Sequence, residues 1–215
     1  MYESSAPETI LHLASAVEMR DATAGAHIDR IGAISAFLAR AVGWSDERAE
    51  TMGIAARLHD IGKIAIPERI LLKPGPLTAD ERAEMQRHTT IGHAILSGSH
   101  SELLDLAATI ALTHHERVDG RGYPGGLRGE AIPEAGRIVA VADVFDALVN
   151  DRVYGPAIPL GEASTLLRGG YGTQFDALVL QALLTHLEEV AALRGRRAAL
   201  TAPELSSVPL CRARG

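Results

Sequence analysis

Leu58-His59-Asp60-Ile61-Gly62-Lys63 sets an imidazole, a carboxylate and an ammonium within two helical turns, inside an apolar run of Met52, Ile54, Ala55, Ala56, Leu58 and Ile61. Apolar surroundings disfavour an unpaired charge. A bound metal resolves this, because it takes imidazole nitrogen and carboxylate oxygen together and cancels the charge. For that dipeptide alone, a partly exposed helix end is the ordinary alternative. The chain holds nine histidines, and their placement is uneven. His27 falls on the stripe continued by Ile31, Ile34 and Leu38, so it faces inward. His88 ends a predicted fourth helix, His114 and His115 end a sixth, and Asp143 sits amid Val139, Ala140, Val141 and Ala142. Singly, these have ordinary readings: a satisfied core histidine, cations favoured by a helix C-terminal dipole, or an aspartate paired with an arginine. Jointly, five histidines and two aspartates on inward faces or helix ends suffice for two octahedral metals with positions open to water and substrate. Asp60 would bridge them. The cluster contains no cysteine, which argues against structural zinc, and mixed imidazole and carboxylate favours Fe or Mn.

The elements that must position these groups read as helices. At 215 residues, 47% hydrophobic and 22% charged, the chain fits one globular domain with a tail. A net charge of −6 excludes the basic footprint of a nucleic-acid polymer binder. The single cysteine, Cys211, cannot form an intrachain disulfide and points to a reducing compartment. No apolar segment approaches the roughly 20 residues of a membrane span. Met1 to Glu8 lacks the pattern of a signal peptide. A cytoplasmic location is expected.

Ser5-Ala-Pro-Glu8 has the form of a capping box opening an amphipathic helix to about residue 22, with Ile10, Leu13, Ala14 and Val17 on one face. That face would pack on its own core or on a partner. A second helix ends near Gly43, and Ser45 or Asp46 caps a third that runs to about Ile61. Residues 64–77 hold three prolines and read as an irregular connector. Further helices are predicted from the Thr78-Ala-Asp-Glu81 capping box toward His88, and over Thr90–Ser97, Ser101–Glu116, Gly136–Val149, about 161–168 and 176–194. Residues 117–136 carry six glycines and two prolines and form a loop, of a length that is usually functional. The fold class is all-α. Asp146, one turn beyond Asp143, is either a partner orienting a histidine or a surface carboxylate. Glu116 and Asp119 are candidates for the same supporting role. His12, His93, His100 and His186 fit no ligand slot.

The order H…HD…H…HH…D, with LHDIGKIAIPERILLKPGPLT (58–78), HTTIGHAILSGS (88–99), ALTHHERVDGRGYPGGLRGEAIP (111–133) and GRIVAVADVFDALVNDRVY (136–154), resembles the HD-GYP subgroup of the HD metal-dependent phosphohydrolases. The resemblance covers about residues 9–187. It implies a helical HD-type bundle with an added GYP loop and C-terminal helices, and hydrolysis of cyclic di-GMP. Carried over by position, His27, His59, Asp60 and Asp143 would hold one metal, and Asp60, His88, His114 and His115 the second. Two cations about 3.5–4 Å apart would lower the pKa of a shared water and stabilise in-line displacement at phosphorus. Asp60 and Lys63 would be the catalytic residues, with Lys63 pointing at the water or the scissile phosphate. Gly122, Tyr123 and Pro124 would shape one side of the cleft, and Arg152 would meet a phosphate or guanine.

Two departures bear on the chemistry. Thr23 stands where many members carry a glutamate able to support a third metal, which implies a two-metal site and pGpG as the product rather than GMP. Gly155 stands where a basic residue usually follows, removing one phosphate contact. A signalling module acting through protein contacts is therefore the rival reading, with an HD-type hydrolase of another nucleotide as a third. Residues 1–22 would form a junction helix to an upstream regulatory domain, and residues 193–215 a loose tail. Receiver or GGDEF-type proteins are the expected partners, with a homodimer through the N-terminal helix.

Overall fold

The structure is a computed structural model that describes residues 11–12, 14–17, 20, 26–151 and 156–193. The Ser5–Glu8 capping box, Ile10, Leu13, Thr23, the 152–155 segment with Arg152 and Gly155, and the tail beyond Leu193 lie outside the described residues. Residues 11–12 and 14–17 are helical (α1). There follow α2 (Ala26–Ala41), α3 (Asp46–Ala56), α4 (Glu68–Leu71), α5 (Ala79–Gln86), α6 (His88–Leu96), α7 (Glu102–Thr113), α8 (Glu134–Val149), α9 (Leu160–Gly169), α10 (Ala177–Thr185) and α11 (Leu187–Ala192). Short 3₁₀ turns occupy Ile61–Ala65 and Gly129–Ala131. The described residues contain no strand, only two isolated bridges, and the all-α expectation holds.

Helix α8 is the axis of the bundle. Ile138, Val139, Val141, Ala142 and Phe145 are inaccessible to solvent, and α2, α7, α9 and α10 pack around it. A helix apolar on most of its faces belongs in such a central place. On α2, Ile31, Ile34 and Leu38 bury the face that the i, i+3, i+7 spacing foretells, each contributing about 1.5–3 kcal/mol. Helices α2 and α3 cross at backbone contact, because a Cβ on Gly32 would lie 2.6 Å from Gly53 O. That crossing fixes how far apart the start of α2 and the end of α3 stand. Ala14 and Val17 of α1 are buried in the same core, so of the two uses open to that stripe, its described part serves its own bundle.

Four boundaries differ from the sequence expectation. Helix α3 stops at Ala56 rather than near Ile61. Arg57 caps it, and His59 and Asp60 lie in the turn before the 3₁₀ segment, with Asp60 as its N-cap. Leu58 and Ile61 keep an apolar spacing that mimics a continued helix. The 64–77 connector is not wholly irregular: Ile66, Ile70 and Leu71 bury themselves with Leu77, Met85 and Ile91 in a second small core, which orders α4. His88 opens α6 instead of ending α5. The helix expected over 176–194 breaks at His186 (φ −110°, ψ 30°), whose ring packs edge-on against Phe37. Beyond the break, Val190 and Ala191 remain in the core, past residue 187.

Candidate metal centre

Helix ends converge on one spot. His27 sits in the first turn of α2, His59 and Asp60 in the turn after α3, and His88 at the first position of α6. His114 caps α7, His115 follows it, and Asp143 lies midway along α8. Gly62 permits the convergence. A Cβ there would be 1.9 Å from His88 O and 2.5 Å from Gly92 N, so only glycine lets the turn lie flat on α6.

Four of the five histidines on this spot are oriented from behind. Nδ1 of His59 donates to Ala56 O (2.9 Å), Nδ1 of His88 to Met85 O (2.8 Å), and Nδ1 of His114 to Ile110 O (3.0 Å) and Ala111 O (3.1 Å). A carbonyl only accepts, so the proton is on Nδ1, and the neutral ring presents a lone pair at Nε2. His27 follows the same rule with a carboxylate: Nδ1 donates to Asp146 Oδ2 at 2.7 Å, and Arg30 holds Asp146 through Nε (2.5 Å) and Nη2 (3.0 Å). Burial pushes the Asp146 carboxyl up, but the bonds from His27 and Arg30 outweigh it and hold its pKa below the usual range.

The Nε2 atoms face carboxylate oxygens. His88 Nε2 is 3.2 Å and His114 Nε2 3.7 Å from Asp60 Oδ1, while His59 Nε2 is 3.3 Å from Asp60 Oδ2. His27 Nε2 is 3.7 Å from Asp143 Oδ1. Burial raises the Asp60 carboxyl, yet the Lys63 ammonium, with Nζ 2.8 Å from Oδ2, and then His59 and His114 hold it well below the usual carboxylate range. Burial also lowers His114 and lowers His115 strongly, with His114 adding to the effect on His115. Lone pairs thus converge on an anion. Asp60 Oδ1 is buried and takes no well-formed hydrogen bond. A divalent cation is what such a donor set fits, since it alone turns facing acceptors into ligands.

Two groups have ligand atoms within 4.8 Å of one another: Asp60, His88, His114 and His115, and His27, His59 and Asp60. Asp60 belongs to both. Asp143 stands outside these two groups, next to His27. Asp146 has the orienting role that was one of its two sequence readings. Glu116 instead anchors the glycine-rich loop, accepting from Gly125 N (2.6 Å) and Leu127 N (3.0 Å). Asp119 pairs with Arg117, which holds its carboxyl down at about 2.

The centre opens into a cleft of about 320 Å³. Gly122 and Tyr123 line it, Tyr123 stacked on His115 at 4.8 Å, while Pro124, joined by a cis peptide, is exposed beside it. Burial raises the Tyr123 hydroxyl far above its ordinary value, so it stays protonated. Gln86, Arg117, Arg121 and Gln174 also line the cleft, and the sequence reading singled out none of them. Gln174 arrives because Val118 N and Asp119 N donate to Gln174 O (3.4 Å) and Thr173 O (2.8 Å), tying the loop to the turn after α9. Arg30 was also missed, although its place one turn after His27 mirrors that of Asp146 after Asp143.

The chain matches the family model described as HD domain over residues 12–179. It is 49% identical over 177 residues to a Xanthomonas campestris protein named cyclic di-GMP phosphodiesterase response regulator RpfG, covering 82% of this chain and 47% of that one. It is 47% identical over 189 residues to a Thermotoga maritima cyclic di-GMP phosphodiesterase, covering 88% and 51%. A Vibrio cholerae 3′3′-cGAMP-specific phosphodiesterase 2 is 42% identical over 187 residues, covering 87% and 36%. The chain therefore spans about half the length, or less, of these relatives. Among solved structures, the HDG"Y"P protein Bd1817 of Bdellovibrio bacteriovorus superposes with a TM-score of 0.60 at 21% identity, over 75% of this chain and 51% of that one. The V. cholerae cyclic GMP-AMP phosphodiesterase V-cGAP3 gives 0.65 at 18% identity, over 88% and 51%, and both likenesses speak to the fold alone. With the family match spanning most of the chain and the HDIGK, HHE and GYP segments around one buried centre, the chain belongs to the HD domain family, in its HD-GYP group.

Proposed function

We propose that the chain is a cytoplasmic phosphodiesterase that hydrolyses cyclic di-GMP to linear pGpG at a site for two divalent cations, Fe or Mn. The observation that carries this reading is Asp60, a single carboxylate turned toward two sets of histidine Nε2 atoms behind a cleft that His114, His115 and Asp143 line. The relatives named as cyclic di-GMP phosphodiesterases support the substrate.

His27, His59, Asp60 and Asp143 would hold one cation, and Asp60, His88, His114 and His115 the other. Bound there, two cations supply a water of lowered pKa and neutralise charge on the phosphodiester. The chain's own groups do the rest. Asp146 and the carbonyls behind His59, His88 and His114 keep the Nε2 lone pairs aimed inward. Lys63 Nζ, held against Asp60 Oδ2, carries a proton for the leaving 3′ oxygen. Tyr123 on His115, with Gly122 and Pro124, shapes one wall against which a guanine rests. Arg152, outside the described residues, would meet a phosphate or guanine as the resemblance implies. The absence of a glutamate at Thr23 limits the site to two cations and stops the reaction at pGpG. Receiver or GGDEF-type proteins are the partners proposed with it, and a homodimer through the N-terminal helix would use a face other than that of Ala14 and Val17, which lies in the chain's own core.

Elemental analysis of anaerobically purified protein, paired with chromatography of its products from cyclic di-GMP and 3′3′-cGAMP, tests the proposal. Near two Fe or Mn per chain with pGpG accumulating is the expected result. GMP as the main product overturns the two-metal limit, and faster turnover of 3′3′-cGAMP overturns the substrate. Two metals without product point to a signalling module, and failure to bind metal after reconstitution overturns the site.

A further inference from the structure

Past the described part of the N-terminal helix lies a residue that no step above uses. Arg20 lies one turn past Val17, whose side chain is buried with Ala14 in the main core, and its amide donates to Val17 O at 3.1 Å. Its guanidinium crosses to the 3₁₀ turn Ile61–Ala65. Nη1 donates to Lys63 O (3.3 Å) and Ile64 O (2.5 Å), and Nη2 to Ile66 O (3.4 Å). The last carbonyls of a helical turn are short of backbone partners; Lys63 O accepts from Ile66 N (3.1 Å), and one planar cation adds bonds to it, to Ile64 O and to Ile66 O just beyond the turn. Val17, Ile61, Ile64 and Ile95 surround it with an apolar hollow of about 220 Å³. Charge-assisted hydrogen bonds are the stronger kind; those to Lys63 O and Ile66 O are partly buried, and that to Ile64 O is exposed.

The clamped turn is the one that bears chemistry. Asp60 is its N-cap, and Lys63 lies within it with Nζ 2.8 Å from Asp60 Oδ2. From the other side Gly62 rests on the backbone of His88 and Gly92. The turn is therefore gripped between α6 and the end of α1. A change in the Lys63 peptide, whose carbonyl Arg20 holds, swings the Lys63 side chain.

We infer that Arg20 is a positioning residue for the reaction: it fixes the C-terminal end of the turn, where Lys63 lies, and so makes turnover depend on how α1 is seated. The inference rests on the role given to Lys63 above. Among the described residues the Arg20 guanidinium donates to the carbonyls of Lys63, Ile64 and Ile66 and to no proposed metal ligand, so its effect falls on the rate and leaves the cation sites and substrate affinity in place.

The test uses the metal-loaded full chain in four forms beside wild type: Arg20→Ala, Arg20→Lys, Lys63→Ala and the double alanine variant. Arg20→Ala is expected to keep wild-type metal content and a KM within about twofold while kcat falls roughly 10- to 100-fold, the scale set by a displacement of about 1 Å. Arg20→Lys, a cation with a single nitrogen, recovers part of that loss. In the Lys63→Ala background, Arg20→Ala costs less than about twofold more, because two residues acting on one step are not additive. A wild-type kcat for Arg20→Ala, or full additivity with Lys63→Ala, overturns the inference and leaves the role of Lys63 standing. A wild-type rate for Lys63→Ala overturns that role, and the inference with it.

Discussion

Gly62→Ala adds one methyl group at the point where the turn bearing Asp60 and Lys63 meets α6. Gly62 is not among the glycines with positive φ, so its backbone conformation admits alanine and only space is at issue. The new Cβ would lie 1.9 Å from His88 O, 2.5 Å from Gly92 N and 2.8 Å from His88 C, all backbone atoms, so rotating a side chain relieves nothing. Opening 1.9 Å to the 3.0 Å that real Cβ atoms respect takes a displacement of roughly 1.1 Å. That is large beside the 3.2 Å separating Asp60 Oδ1 from His88 Nε2, which lie on the two elements pushed apart. Overpacking of this kind costs about 1–3 kcal/mol. At about 2–4 °C per kcal/mol for a domain of this size, Tm should fall by roughly 2–12 °C. A misplacement of about 1 Å at a reacting centre costs on the order of 100-fold in rate. The expected protein is therefore folded and modestly less stable, with kcat down about 100-fold and metal content below wild type. Calorimetry, elemental analysis and initial rates on cyclic di-GMP measure the three quantities. Gly161→Ala, where an added Cβ meets nothing within 4 Å, is the matched control and should change none of them. A Gly62→Ala protein with full metal and a kcat within threefold of wild type would refute the claim that this contact sets the geometry of the centre.

Asp146→Asn keeps the size of a fully buried side chain but removes the charge that His27 and Arg30 share. Losing the partner that orients a metal-ligating histidine lowers metal affinity about 10- to 100-fold, and a chelator titration that finds wild-type affinity rules this out. Glu116→Gln leaves one of Gly125 N and Leu127 N without its carboxylate acceptor, at a cost of about 1–3 kcal/mol. Faster hydrogen exchange at those two amides is the expected sign, and unchanged protection would contradict it. Asp176 supplies a pH test at the start of α10, where it accepts from Leu178 N and Val179 N and pairs with Arg137. Burial raises its pKa, but the Val179 amide and Arg137 outweigh that, so the folded value lies below the ordinary 3.8. The folded state then binds fewer protons than the unfolded one, and the stabilisation is complete above the ordinary value and lost as pH falls through the folded value. The Tm difference between wild type and Asp176→Asn should be flat above about pH 5 and shrink below pH 3.8, and a pH-independent difference would count against the pairing.

Much of the bundle was legible because burial here follows a helical period. The Ile31, Ile34 and Leu38 stripe placed His27 on the inner face, and the Thr78–Glu81 capping box, present with both its bonds, marked the start of α5. The end of α3 was not legible. Leu58 and Ile61 continue its apolar rhythm past the end at Ala56, and the turn that replaces the helix rests through Gly62 on His88 and Gly92 of α6, a tertiary contact far along the chain. The same holds for the cleft. Gln174 reaches it only because main-chain groups of the 117–129 loop bond to the turn after α9, and backbone pairing leaves no imprint on side-chain pattern. Arg20 shows a further limit: its partners are carbonyls, which every residue possesses, so nothing in the sequence of the 61–66 turn announces the arginine that holds it. Asp146 could be narrowed to two roles by its spacing from Asp143, but choosing between them required knowing that α2 and α8 pack together.

The bonds that tie the glycine-rich loop to the turn after α9 have a consequence for how such a scaffold can be altered. The rim is joined there through amides and carbonyls of residues 118, 119, 173 and 174, whereas the histidines below are fixed by helix ends. Side chains at the rim carry none of that joint's hydrogen bonds. Arg121 and Gln174, which line the cleft, can therefore be exchanged without cutting that joint, and the histidines below keep their backbone anchors when they are. Charge and reach at the mouth are separable from the geometry beneath it.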